Sequence, residues 1–217
     1  MHPSTPIASL VLIASTVFAA QAGAASADAG VVAALQKGGA VVLMRHGSAG
    51  AGAPPGQMTP GVAPGVGAGT PPRGGVQPAA DPALNDKGRA SAQAVHDALQ
   101  RLQVKFATAN ASPTQRAQQT AEIVSGLKPA VVESLAMVRG DASTAPMVDW
   151  LKSQVTHPPK TGNILAVSHG PNLQAILPAG AAAPEEAEAL VLVSDSQGGV
   201  KIVGRVKVEE WATLARR

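Results

Sequence analysis

The sequence predicts an α/β fold: a three-layer α/β/α sandwich with a largely parallel central sheet. Two observations lead there. Continuous apolar runs at Ala40-Val41-Val42-Leu43-Met44 and Ile164-Leu165-Ala166-Val167 read as strands buried on both faces. The segments around them carry apolar residues at helical spacing, so strands alternate with helices as parallel crossovers require. At 217 residues, 45% hydrophobic and 14% charged, the chain can build one such domain and hardly a second.

Taken in order, Ile7 to Ala20 is largely apolar but too short for an ordinary membrane-spanning helix. It is followed by the small-x-small triplets Ala20-Gln21-Ala22, Ala22-Gly23-Ala24 and Ala25-Ser26-Ala27. Residues 1–27 therefore read as a secretory signal peptide, although Met1 to Pro6 hold no Lys or Arg. The mature domain, 28–217, is expected to be periplasmic or secreted, with no stable membrane association once the signal is removed.

A short helix is expected from Asp28 to Gln36, before the first buried strand. Ser48 to Ala80 follows, nearly half of it Gly or Pro. Too little of it can be buried to offset the entropy of ordering, so it reads as a mobile loop. Starting beside a strand end, it is expected to influence substrate choice and not folding. Asp86 to Leu102 has a helical apolar stripe (Ala90, Ala94, Val95, Ala98, Leu99, Leu102), and Phe106 to Ala109 reads as a strand. Ser112-Pro113-Thr114-Gln115 reads as a helix start, with Ser at the cap, Pro first and Gln closing a capping box. Ala130 to Val132 is a further strand and Ala145 to Val155 a further helix. Pro171 and Asn172 suggest another helix just after His169. Leu190 to Val193 and Val200 to Val208 read as closing strands.

Composition excludes several chemistries. With no Cys there are no disulfides, thiolate metal sites or cysteine nucleophiles. Two Trp, two Phe and no Tyr leave few stacking platforms, and the net charge of +3 is spread without a basic run. Nucleic acid is therefore disfavoured as a partner, whereas a small anionic ligand is not.

The chemistry-bearing residues gather where strands end, which is where open α/β sheets bind ligands. One buried strand runs into Arg45-His46-Gly47 and another into Ser168-His169-Gly170, while Arg116 lies in the first turns of the helix after Ser112. Two His and two Arg in one crevice suit phosphoryl transfer. A neutral imidazole attacks phosphorus, and guanidinium forks hold the equatorial oxygens as charge spreads. Free N–H groups after His169, from Gly170 onward, would extend the anion site.

The ordered set of Arg-His-Gly, Ser-Pro-x-x-Arg-Ala-x-Gln-Thr-Ala and Ser-His-Gly resembles the histidine phosphatase superfamily, the phosphoglycerate mutase-like proteins. The resemblance runs from Val41 to about Ile176 and points to the exported bacterial phosphatase branch. It implies a phosphoglycerate mutase-like fold and a metal-independent phosphoric monoester hydrolase. That enzyme would act on a phosphomonoester, or a phosphohistidine, through a phosphohistidine intermediate on His46. Arg45 and Arg116 would be the phosphate clamp and His169 the second histidine, with Gly170 also binding phosphate. No metal and no organic cofactor are implied, and the partner would be a phosphorylated small molecule, sugar phosphates included. Leu84-Asn85-Asp86-Lys87-Gly88-Arg89 is a weaker match to a helix start of the family, with Arg89 structural.

One departure bears on mechanism. Many members carry a catalytic Glu two residues beyond a Leu after the third strand. Here Leu135 is followed by Ala136 and Met137. Glu133 is the candidate acid, with Asp141 also nearby. Two alternatives stay open: a catalytically weak phosphate-binding module of the same fold, and a phosphomutase. His96 and His157 read as surface residues, and Glu185-Glu186-Ala187-Glu188 as a solvated turn, with Glu188 a remote acid candidate. Gly65-Val66-Gly67-Ala68-Gly69 is only superficially a phosphate loop, because no strand directly precedes it and no Gly-Lys-Ser/Thr follows.

Overall fold

The computed structural model describes residues 28–50, 81–140 and 142–216. The expected signal peptide (1–27), Asp141 and most of the Gly/Pro-rich segment (51–80) lie outside the described residues.

A helix over 28–37 (α1) leads into β1 (Val41–Arg45). There follow α2 (Asp86–Arg101), β2 (Phe106–Ala111), α3 (Gln115–Ser125) and β3 (Ala130–Val131). A 3-10 turn (Glu133–Leu135), α4 (Ala145–Thr156), β4 (Asn163–Ser168), α5 (Gly170–Gln174), β5 (Ala189–Ser194), β6 (Val200–Val206) and α6 (Val208–Leu214) complete the order. The strands form one six-stranded sheet in the order β3-β2-β4-β1-β5-β6. β3, β2, β4 and β1 pair in parallel, and β5 and β6 add two antiparallel pairings at the far edge.

Strand alternation divides the core into two. Val42, Met44, Leu165, Val167, Ala189 and Val191 point to the face covered by α1, α2, α3 and α6. Val41, Leu43, Ile164, Ala166, Leu190 and Leu192 point to the other, covered chiefly by α4 with Met147, Leu151 and Val155. Every residue of β4 is buried, as its unbroken apolar run requires. The register sets Met44 beside Val167 and Arg45 beside Ser168, so the two histidine-bearing ends finish level.

Three expectations are corrected. The helix after β2 starts later than expected: Thr114 is its N-cap, with no side-chain cap, and Ser112 is no cap at all. The Ser112 hydroxyl lies instead 2.7 Å from the His169 ring, and a distant carboxylate, Asp81, accepts from the Gln115 N–H. The Glu185 to Glu188 stretch is not simply solvated, because Glu188 is fully buried and pairs with Arg205 at 2.6 Å. Finally, the last strand stops at Val206, and α6 buries Trp211 and Leu214 beside α2. The i, i+3 spacing of those two residues was the available signal.

Candidate active site

The Arg45-His46-Gly47 turn is fastened from three sides. The His46 N–H donates to the Ser168 carbonyl at 3.0 Å, which ties β1 to β4. The Gly47 N–H donates to the Thr120 hydroxyl at 3.0 Å, and that hydroxyl donates to the Arg116 carbonyl one helical turn earlier at 2.7 Å. Gly47 also packs on Gly88, where a Cβ would meet the Gly88 carbonyl oxygen at 2.9 Å. Asn85 completes the clasp: it caps α2 by accepting from the Gly88 N–H at 2.9 Å and donates from Nδ2 to the Ser48 hydroxyl at 3.1 Å.

This fastening sets the chemistry of His46. Its Nδ1 lies 2.8 Å from the Gly47 carbonyl oxygen, which can only accept, so Nδ1 carries the proton. Nε2 therefore presents a lone pair, and it accepts from Arg116 Nε at 3.2 Å. Burial holds the His46 pKa below its ordinary value of 6.5, with Arg116 and Arg45 adding to the effect and the Gly47 bond opposing it. His169 stands edge-on with ring centroids 5.1 Å apart. Its pKa is lowered further, to about 3, by burial first and then by His46 and the nearby arginines Arg116, Arg139 and Arg45.

Arg45 Nη1 donates to the Pro184 carbonyl at 2.8 Å. The loop that carries Pro184 is braced by Arg205, which bonds Glu188 and donates to the Ala182 carbonyl at 3.0 Å. Arg45 Nε and His169 Nδ1 are buried nitrogens without a hydrogen-bond partner among the described residues. Buried nitrogens are rarely left so, and an oxyanion in the cavity is the kind of group that satisfies them. The cavity, of about 380 Å3, is lined by Arg45, His46, His169 and Gly170 together with Met137, Pro171, Gln174, Ala183 and Pro184. A larger hollow of about 670 Å3 lies where α2 and α3 end, but among the described residues Lys105 is the only charged one lining it.

The structure thus brings together Arg45, His46, Arg116, His169 and Gly170. It does not bring in Glu133, which is exposed on the 3-10 turn and absent from the cavity wall. Met137 takes the place on the wall, held there by Asn172, which accepts from the Val138 N–H at 3.0 Å and donates to the Ala136 carbonyl at 2.8 Å. Glu188 is tied to Arg205. His96, half-buried, lies 3.1 Å from the Val124 carbonyl of α3, and His157, exposed at the end of α4, lies 3.2 Å from the Ser153 carbonyl of its own helix. Sequence reasoning missed Asp81, whose carboxylate holds Arg116 Nη1 at 3.1 Å, and no local pattern could have linked residues so far apart. It also missed Thr120, although that residue lies four beyond Arg116 on the same face of α3. Among the described residues no group of three or more His, Asp or Glu could hold a metal ion, and no helix is long and apolar enough to cross a membrane.

Residues 41–139 match the family model of the histidine phosphatase superfamily, branch 1. No curated protein matches the chain. Among solved structures, the protein histidine phosphatase SixA complexed with tungstate superposes with a TM-score of 0.53 at 18% identity, over 79% of this chain and 98% of that one. A structure described as mycobacterial hydrolase 1 superposes with a TM-score of 0.50 at 16% identity, over 75% of this chain and 96% of that one. At such identity these likenesses bear on the fold.

Proposed function

We propose that this chain, of which residues 41–139 match the family model of the histidine phosphatase superfamily, is a phosphatase that hydrolyses a phosphomonoester, or a phosphohistidine, through a phosphoryl group carried on His46. The observation that carries the reading is the Nε2 lone pair of His46, held outward by the Gly47 carbonyl and facing a guanidinium. Nε2 attacks phosphorus as the bond to the leaving oxygen or nitrogen breaks, and Arg45, Arg116 and His169 hold the phosphoryl oxygens. A water oxygen then attacks the phosphorus, Nε2 departs with its electron pair, and inorganic phosphate leaves with the ring restored. Among the described residues no carboxyl group lines the cavity. A leaving group that needs no proton suits this set of described wall residues best. That same lack supports a second reading, a phosphate-binding module that is phosphorylated once and turns over slowly.

The test is labelling with a radioactive phosphoryl donor. The wild type is expected to carry an acid-labile label and to release phosphate steadily, whereas His46→Ala does neither. Substantial activity in His46→Ala would overturn the mechanism, and a stoichiometric burst without steady release would favour the binding module. Export is part of the proposal, supported by the apolar stretch and small-residue triplets before Asp28. Cell fractionation and the amino-terminal sequence of the mature protein test it.

A further inference from the structure

Ser112 directly follows β2 and is fully buried, with its N–H donating to the Val167 carbonyl at 2.9 Å. That bond sets it against the end of β4, two residues before His169. Its hydroxyl has three polar neighbours: His169 Nε2 at 2.7 Å, the Thr114 N–H at 3.4 Å and the Thr114 hydroxyl at 3.5 Å. A hydroxyl has one proton to donate. The Thr114 amide can only donate to it, and the Thr114 hydroxyl lies at the limit of hydrogen-bond length, so the proton belongs to the short contact with Nε2. A neutral imidazole that accepts at Nε2 carries its own proton on Nδ1. On His169 that is the buried nitrogen with no partner among the described residues, on a ring that lines the cavity.

We propose that Ser112 is a positioning residue: its hydroxyl holds His169 as the neutral Nδ1–H tautomer, so that Nδ1 donates a hydrogen bond to an anionic oxygen of the bound phosphoryl group. The proposal rests on the phosphate-site reading given above and adds what orients the second histidine. With its pKa at about 3, the His169 ring is neutral at ordinary pH, so tautomer and not charge decides what it offers. The opposite tautomer would set a lone pair against the anion and leave the Ser112 proton only the 3.5 Å contact. The Ser-Pro pair that looked like a helix cap thus serves the site.

The tautomer is directly readable. Protein carrying 15N-labelled histidine is studied by long-range 1H–15N NMR with and without tungstate, and His169→Asn assigns the ring signals. The wild type is expected to show His169 protonated on Nδ1 and not on Nε2 in both states. Ser112→Ala is expected to lose that preference and to lower kcat about 10- to 100-fold, in line with other partners that orient a functional imidazole, while KM for a small aryl phosphate moves no more than about threefold. Ser112→Thr, which keeps the hydroxyl, is expected to restore the tautomer and most of kcat. A wild-type His169 protonated on Nε2, or a Ser112→Ala protein with tautomer and kcat unchanged, overturns the proposal. If Ser112→Ala does not fold, the wild-type spectrum still decides it. Failure of the wild type to form any phosphoenzyme would instead overturn the functional reading, which this spectrum does not measure.

Discussion

Arg116 serves three partners at once, and its position explains more of the site than any other single residue. Its Nε donates to the His46 lone pair, its Nη1 pairs with Asp81, and its carbonyl receives the Thr120 hydroxyl that also holds Gly47. Removing it takes away a half-buried donor beside the His46 lone pair. Arg116→Ala is expected to cost about 2–4 kcal/mol of transition-state stabilisation, read as kcat/KM on an aryl phosphate, with weaker vanadate binding alongside. An unchanged rate would mean that the guanidinium does not meet the phosphoryl group. The charge of Arg116 also helps keep His46 unprotonated, second to burial among the lowering influences. An NMR titration of His46 is therefore expected to show a midpoint below 6.5, moving upward in Arg116→Ala. A wild-type midpoint at or above 6.5 would contradict the burial argument.

Two elements meet where the nucleophile is positioned, the end of β1 and the start of α2. They approach at Gly47 and Gly88, and a Cβ on Gly88 would overlap the Ser48 carbonyl oxygen, which belongs to backbone and cannot swing aside. The leucine–polar–x–x–glycine–arginine pattern is thereby explained: Asn85 caps the helix, Gly88 permits the approach, and Arg89 bonds the Leu84 carbonyl at 2.6 Å without facing the cavity. Gly88→Ala is expected to destabilise the fold by at least about 1–3 kcal/mol, as overpacking does, and to lower kcat by displacing His46. Arg89→Ala is expected to leave kcat within about twofold, since it changes no group that meets the phosphoryl oxygens. Urea denaturation and steady-state kinetics on the two variants separate these outcomes. Equal, near-wild-type behaviour of both would show that the close approach is not a constraint.

At the scale of the molecule, the sheet carries a buried imidazole, His169, and a half-buried one, His46, in one crevice, and that links stability to pH. Both histidines have folded pKa values below the ordinary 6.5, His169 at about 3. As pH falls below 6.5 the unfolded chain takes up these protons before the folded one does, so acid favours unfolding. The stability at stake is intact above about pH 6.5 and is lost progressively towards pH 3. In buffers free of phosphate, the melting temperature is expected to fall between pH 7 and pH 4, and to fall less in His169→Asn. Parallel curves for the two proteins would mean that His169 protonates as easily in the folded state as in the unfolded one.

The amino-acid sequence by itself determined the elements whose signals are local. Unbroken apolar runs marked β1 and β4, a helical stripe marked α2, and the order of three short motifs marked Arg45, His46, Arg116 and His169 as one group. Those signals survive in a single sequence because burial on both faces and helical periodicity each impose a pattern within a few residues. Only the tertiary structure decided the partners that arrive from far along the chain. Asp81 on Arg116, Asn172 holding Met137 on the wall, and Arg205 pairing with the buried Glu188 have no mark in the local sequence. Ser112 shows the limit most plainly, since Ser before Pro fits a helix cap equally well on local grounds. Its hydroxyl can donate only one proton, and packing β2 against β4 placed the His169 ring where that proton goes.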